Sequence, residues 1–360
     1  MLAYYLHNLN PIIVQFGFIK LRWYGLAYLT GFVFAYVLIK RLANDGMLRL
    51  PKEKVPDLVL NCCIFGVLVG GRLGFCLFYD LPHALWNHTT PLLWSFTDSL
   101  PFWGVLRVNE GGMSAHGGII FTLLTVIYFA RRNKASVVNI SDAAAMVVPL
   151  GLFFGRLANF VNGELYGHAT KVAWAVQFPS ELVSPTNGVY EIPLEQRWEL
   201  IKKAAEKVPP YMDYLSLMPP GLEQTGQYQY AMGGILQFAQ RHNAEMVQLL
   251  HETLIPRHPS QLYEAGLEGL LLFAIVWTIG RLWRKDGMAS GAFVFFYPVM
   301  RIIGEQFRVG DTPIQLAGVE ISKGVLYSLL MLIPAAIYWG YWIRKDRRMP
   351  WVRPETETKS

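Results

Sequence analysis

Charge is scarce in this chain of 360 residues: 16% are Asp, Glu, Lys or Arg, against 53% hydrophobic. That balance excludes an ordinary pair of soluble domains and directs attention to membrane spans. Cysteine is almost absent. Cys62, Cys63 and Cys76 share one apolar stretch, and adjacent cysteines do not bridge in ordinary geometry, so no disulfide framework is expected. The chain also lacks HExxH, a second His or Cys at ligand spacing, a GxSxG elbow and a GKT/S phosphate loop. Neither a metal nor another cofactor is indicated. The net charge of +6 sits in short basic clusters between long apolar runs, which speaks against nucleic acid as a partner. No A-x-A-like cleavage site ends the first run, LRWYGLAYLTGFVFAYVLIK, so it reads as a retained span.

What is abundant is apolar sequence in pieces of the right length. A helix needs roughly 20 mostly apolar residues to cross a hydrocarbon layer of about 30 Å. Seven stretches qualify, at about 22–40, 58–79, 113–130, 142–162, 261–280, 288–307 and 322–343. The expectation is an all-α polytopic membrane protein with seven transmembrane helices. Residues 1–162 carry spans one to four, 163–260 form an extramembrane head segment, 261–343 carry spans five to seven and 344–360 form a tail. Basic residues follow every second span: Lys40, Arg41, Arg49, Lys52 and Lys54, then Arg131, Arg132 and Lys134, then Arg281, Arg284 and Lys285, then Arg344, Lys345, Arg347 and Arg348. By the positive-inside rule these connections are cytoplasmic, which puts the N-terminus and the head outside and the C-terminus inside. Within the head, 194–207 and 233–254 read as amphipathic helices, separated by PP at 209–210 and PPG at 219–221.

Ionised side chains inside a span cost about 2.5 kcal/mol or more each and face a bundle interior or a wet cavity. Arg72, Arg156, Arg301 and Glu305 stand out. Arg301 and Glu305 lie one turn apart and can pair, as can Arg156 with Asn159 and Asn159 with Asn162. Polar residues of this kind also serve as interhelical glue, and for Arg72 the two roles stand equal. The deduced orientation brings all four, with Tyr24 and His116, to the outer half of their spans, which glue alone does not explain. His116 sits in GGMSAHGGIIF, where Gly111, Gly112, Gly117 and Gly118 remove side chains on both sides. It reads either as a hydrogen-bonded structural histidine or as a base. Guanidinium forks match a phosphodiester and stabilise charge on a departing phosphate. Together these residues suit an enzyme acting on an anionic phospholipid, by direct displacement because no protein nucleophile is evident. A lipid transporter or flippase is the alternative, but no repeat links the two halves. An intramembrane protease would need a Ser–His or Asp pair within the spans.

GRLANFVNGELYG at 155–167 closely resembles the signature of the prolipoprotein diacylglyceryl transferase family. LRWYGLAY at 21–28, AHGG at 115–118, RHPSQLYE at 257–264 and YPVMRIIGEQFR at 297–308 are similar to further family segments. The resemblance implies an enzyme of the bacterial inner membrane, with a periplasmic head. It would transfer the diacylglyceryl group of phosphatidylglycerol to the lipobox cysteine thiol in a prolipoprotein signal peptide, releasing glycerol phosphate. It implies catalytic roles for His116, Arg156 and Arg301, with His116 the candidate base. Tyr24, Asn159, Glu164, Gly167, Tyr297 and Glu305 match family positions and would shape the substrate site, while Gly111 and Gly117 would leave room for the headgroup. Pro259 and Ser260 suffice as a helix start. The stretch between Gly167 and His258 is longer than the family pattern leads one to expect.

Overall fold

The computed structural model describes residues 4–16, 19–88, 92, 96–97, 100–106, 112–183, 191–206, 233, 236, 241, 243–309, 314–316 and 319–345. Helices occupy all seven apolar stretches. Five of them, among the described residues, are long and apolar enough to cross a membrane: Trp23–Asn44, Lys52–Leu85, Val137–Asn162, Ser260–Trp283 and Lys323–Arg344, with mean hydropathy from 1.4 to 1.8. The other two, Ala115–Arg132 and Met288–Glu305, are 18 residues each. Their polar residues hold them back: His116, Arg131 and Arg132 in the first, Arg301 and Glu305 in the second. The architecture is mostly helical, but not all-α as expected. Short two-stranded pieces pair Tyr5–Leu6 with Val176–Gln177, Ile12–Phe16 with Ile19–Arg22, Phe96–Thr97 with Leu100–Trp103 and Ile314–Leu316 with Val319–Ile321. They lie in the connections, where the hydropathy pattern carries no signal.

The chain forms two compact units. One comprises Met1–Gly31, Pro149–Ile275 and Ala292–Tyr338; the other comprises Phe32–Val148, Val276–Gly291 and Trp339–Ser360. In the second unit, glycines set the helix packing. The Lys52–Leu85 helix carries Gly66, Gly70 and Gly74 against the Ala115–Arg132 helix, and Gly71 against Met113 and Ser114 just before it. A Cβ on Gly74 would stand 2.3 Å from Gly117 Cα, and one on Gly117 would stand 2.4 Å from Gly70 O. Backbone therefore meets backbone, the packing mode by which membrane helices associate without a hydrophobic driving force. The same helix widens to i→i+5 hydrogen bonding over Cys62–Val69 and Cys76–Asp80.

The end of this unit that carries the basic clusters is tied by side chains. Asp142 accepts hydrogen bonds from Gly287 N (2.7 Å), Ser290 N (2.8 Å) and Ser290 Oγ (2.6 Å). Asn139 accepts from Arg49 N (2.7 Å) and donates to Met47 O (2.9 Å). Arg49 pairs with Asp286 and Arg281 with Asp45. The turn at Met146–Val147 interrupts the Val137–Asn162 helix just before Pro149, whose missing N–H is tolerated only in the first turn of the helix that resumes there.

In the first unit, the segment between Asn162 and Ser260 has its own apolar core. Leu182, Ile192, Leu200, Ile201, Ala204, Met246 and Leu250 pack together with Leu6 from the N-terminal strand. One of the two expected amphipathic helices is present as Leu194–Glu206. Of the other, Ala244–Thr253 is helical and is capped by the Asn243 side chain, which accepts a hydrogen bond from Met246 N (3.1 Å), and Gly233, Leu236 and Arg241 are helical as well. Most of 233–242 lies outside the described residues. The strand pairing is anchored by His7, whose Nε2 lies 2.8 Å from Phe160 O and whose ring stands between Phe160 and Phe178.

Candidate functional site

Six ionised side chains gather in the first unit. Arg156 comes from the Val137–Asn162 helix, Glu264 and Glu268 from the Ser260–Trp283 helix, Arg301 and Glu305 from the Met288–Glu305 helix, and Arg308 from just beyond it. Glu264 Oε2 lies 3.1 Å from Arg156 Nη1, and Glu264 Oε1 lies 2.7 Å from Arg301 Nη1. Glu268 repeats the pattern at 3.0 Å from Arg156 Nη2 and 3.2 Å from Arg301 Nη1. Each glutamate thus bridges both arginines. Arg301 Nη2 completes its fork on Glu305 Oε2 at 2.8 Å, the pair expected from the spacing, and Arg308 Nη1 stands 3.8 Å from the same oxygen. Glu264 and Glu268 are fully buried, while Arg156 and Arg301 keep a little exposure, 18% and 12% of their side chains. The carboxylates are therefore the floor of the site and the guanidinium groups its open face.

Local sequence explains how the helices come close enough. Gly269 faces Phe153, where a Cβ would stand 2.6 Å from Phe153 Cβ. Its bare backbone lets the helix bearing Glu264 and Glu268 press on the one bearing Arg156. The turn over Ala265–Leu271 is again widened to i→i+5 bonding, a feature frequent at functional sites. A Cβ at Gly324 would stand 2.7 Å from Glu305 Oε1, so the Lys323–Arg344 helix can close over that carboxylate, and Ser322 Oγ donates to it at 3.1 Å.

The signature segment 155–167 builds a second group beside Arg156. Tyr24 Oη donates to Glu164 Oε1 at 2.6 Å, Asn159 Nδ2 donates to the same oxygen at 2.7 Å, and Asn159 also contacts Tyr24 Oη. Asn159 is thus turned to Glu164 and Tyr24, where the spacing suggested Arg156 or Asn162. Leu165 is held at φ +59°, a left-handed conformation that costs a non-glycine residue about 1 kcal/mol or more. It is held there by the following motif: Ser260 Oγ donates to Leu165 O at 2.8 Å and Gln261 Nε2 to Glu164 O at 2.6 Å. Ser260 and Gln261 therefore do more than start a helix. At Gly167 a Cβ would stand 2.1 Å from Phe307 O, and Gly167 N donates to His258 O at 2.9 Å, so only glycine fits where these segments meet.

Below this loop, Arg257 is fully buried on Glu181, with Nε 2.9 Å from Oε2, reaches Glu191 at 3.1 Å and lies over the Tyr166 ring. Burial alone would push its guanidinium down, but the two carboxylates more than offset this and hold it above its ordinary value. Burial, and after it the neighbouring His168, lower the His258 imidazole below its ordinary value.

The structure brings together Tyr24, Arg156, Asn159, Glu164, Gly167, Arg301 and Glu305 within the first unit. Tyr297, one turn before Arg301, stacks on Phe293 at 5.8 Å and lies within electrostatic reach of Glu268 and Arg301. His116, Gly117 and Arg72 belong to the second unit. There His116 is exposed in the first turn of its helix, with Nδ1 3.1 Å from Tyr79 Oη. Gly117 is buried against Gly70 and Gly74, so the space it leaves is filled by backbone. Arg72 is buried, donating to Val105 O (2.8 Å) and Gly112 O (2.9 Å), contacts that pin the connection before His116. Gly111 lies outside the described residues. Among the described residues, no group of three His, Cys, Asp or Glu side chains is placed to hold a metal ion. Sequence reasoning missed Glu264, Glu268 and Arg308. The signal was present in YEAGLEG, two acids one turn apart at the start of an apolar span.

The chain matches the family model described as prolipoprotein diacylglyceryl transferase over residues 11–341. Among its relatives, a protein of Bdellovibrio bacteriovorus is 33% identical over 341 residues, covering 94% of both chains. One of Serratia proteamaculans is 36% identical over 343 residues, covering 94% of this chain and 96% of the other. One of Sodalis glossinidius is 35% identical over 335 residues, covering 92% and 93%. All three are named phosphatidylglycerol–prolipoprotein diacylglyceryl transferase. Near-equal coverage of both partners means that this chain and these relatives are of similar overall length. By the near full-length match and the residues that build the arginine cluster, the chain belongs to the prolipoprotein diacylglyceryl transferase family.

Proposed function

We propose that this protein transfers the diacylglyceryl group of phosphatidylglycerol to the thiol of a lipobox cysteine in a prolipoprotein signal peptide, forming a thioether and releasing glycerol phosphate. The observation that carries this reading is the pair Arg156 and Arg301, set side by side on two shared buried carboxylates. Arg301 lies four residues from the end of its helix and Arg156 six from the end of its own. At 1.5 Å per residue these are depths of about 6 and 9 Å, the level of a phospholipid headgroup. Two guanidinium groups at that depth bind a phosphodiester through paired N–H donors. They are better partners still for the phosphate dianion as the glyceryl C–O bond breaks, which is where electrostatic catalysis acts.

The attacking group is the thiol of the second substrate, whose pKa of about 8.5 leaves a minor thiolate fraction at neutrality. His116 is the candidate base, and the positive face of the arginines favours the thiolate. Tyr24, Asn159, Glu164, Tyr297 and Glu305 orient the arginines, and Gly167 lets the loop close beside them; Gly117, packed on Gly70 and Gly74, positions the neighbouring His116 instead of leaving room for the headgroup, and Gly111 lies outside the described residues. In this reading seven helices cross the bacterial inner membrane. Residues 163–260 form the periplasmic head, the N-terminus is periplasmic and residues 344–360 are cytoplasmic. The basic connections support this orientation.

The test is transfer of label from glycerol- and acyl-labelled phosphatidylglycerol to a lipobox peptide by purified protein, with a Cys→Ser peptide as control. Thiol-dependent incorporation with release of glycerol phosphate is expected. Absence of transfer by folded, lipid-supplied protein would move the reading to a lipid transporter.

A further inference from the structure

Counted together with its carboxylate floor, the arginine cluster carries no net charge at rest. Arg156, Arg301 and Arg308 are matched by Glu264, Glu268 and Glu305, and the ion pairs link all six. An anionic phosphodiester entering this cluster adds a negative charge where desolvation makes unbalanced charge costly. The cheapest correction is a proton. Two carboxylates placed between the same two guanidinium groups form a natural proton acceptor, because like charges crowded at one site readily share one proton. The ionisable groups facing this pair are Arg156 from the Val137–Asn162 helix, Tyr297, Arg301 and Glu305 from the Met288–Glu305 helix, and Arg308 beyond it.

We propose that Glu264 and Glu268 act as a proton store for the transfer: the pair takes up one proton as the phospholipid phosphate binds Arg156 and Arg301, and returns it to the phosphate as it departs. A phosphodiester that occupies part of either guanidinium fork competes with a carboxylate oxygen for the same Nη atoms. The displaced carboxyl group then stands beside the phosphate and donates an O–H hydrogen bond to it. In the chemical step the thiol proton passes to the base, for which His116 is the candidate, and the sulfur lone pair forms the S–C bond. The glyceryl C–O bond breaks with its electron pair on the phosphate oxygen, and that oxygen receives the stored proton. The second pKa of a phosphate monoester lies near 6, so a carboxylic acid in this setting is a matched donor.

This inference rests on the proposed transfer for its chemical step, but its binding step stands alone. Calorimetry of the full-length protein with phosphatidylglycerol nanodiscs, in buffers of different ionisation enthalpy, is expected to show uptake of about one proton per lipid bound near pH 7. Phosphatidylcholine nanodiscs serve as the baseline. Glu268→Gln keeps the shape and removes one negative charge, so it should abolish the uptake and lower KM for phosphatidylglycerol. Its kcat should fall about a hundred-fold, the usual worth of general acid catalysis. Glu268→Asp should restore part of kcat. Binding by the wild-type protein without proton uptake overturns the proposal, as does a Glu268→Gln protein that retains the uptake or raises KM at unchanged kcat. Proton uptake without transfer to a lipobox peptide would strike the functional reading and leave the proton store intact; transfer without uptake would do the reverse.

Discussion

Arg301 is tied to three carboxylates, with Nη1 on Glu264 and Glu268 and Nη2 on Glu305, and keeps donors at its exposed edge. A lysine at that position offers one compact nitrogen and cannot span three carboxylates while also facing a phosphate. Arg301→Lys is therefore expected to fold and to lose about a hundred-fold or more in kcat, the scale of removing one preorganised donor from a developing charge. A near-normal kcat in the labelled-lipid assay would remove Arg301 from the phosphate. The opposite partner tests the scaffold. Glu264→Ala leaves two guanidinium groups short of a buried counter-charge, which should cost about 3–5 kcal/mol and lower the melting temperature in detergent. Much of this was legible beforehand: Arg156, Arg301 and Glu305 were visible as charges embedded in apolar runs, and Arg301 with Glu305 pairs as the spacing implied. What a single sequence hides is the third helix. Glu264 and Glu268 look like the acidic start of a span until Gly269 is seen to draw that helix onto Phe153.

At the scale of elements, two features turn on one atom group each. Gly117 meets Gly70 and Gly74 backbone to backbone, so Gly117→Val should force the Ala115–Arg132 and Lys52–Leu85 helices apart. The expected result is a drop in melting temperature together with misplacement of His116 one residue away, whereas Gly118→Ala, with open space around it, should be tolerated. The second feature is the N-terminal strand, held by His7. Burial lowers the His7 imidazole to about 4, with the Phe160 carbonyl opposing the shift. In the unfolded strand it titrates near 6.5, so between those values the unfolded form binds more protons. Its contribution is therefore intact above about pH 6.5 and is lost as pH falls toward 4, at most about 3 kcal/mol. Hydrogen exchange at Leu6 should accelerate, beyond the intrinsic rate change, from pH 7 to pH 4, and His7→Gln should flatten that dependence. Neither strand nor glycine crossing could be read from hydropathy. Period and length locate helices, but contacts between helices depend on which small residues face each other.

At the scale of the whole molecule, the proposed orientation rests on where the basic residues fall. Arg156 and Arg301 lie near the C-terminal ends of their helices, and Glu264 near the N-terminal end of the helix between them in sequence. In an alternating bundle all three ends belong to the same membrane face, whichever face that is. In the same alternating bundle the basic residues at the ends of Trp23–Asn44, Ala115–Arg132, Ser260–Trp283 and Lys323–Arg344 fall on the opposite face, which the proposed reading, by the positive-inside rule, takes as cytoplasmic. The proposed orientation puts the arginine cluster at the periplasmic leaflet, on the side where the proposed lipobox substrate would present its cysteine after export. With Cys62, Cys63 and Cys76 replaced, a cysteine at exposed Glu199 should react with a membrane-impermeant maleimide in cells whose outer barrier alone is opened. One at exposed Lys54 should react only after the inner membrane is breached. The reverse pattern would place the cluster at the cytoplasmic leaflet, and the enzyme would then meet the lipobox before export, with the same chemistry serving a different order of events.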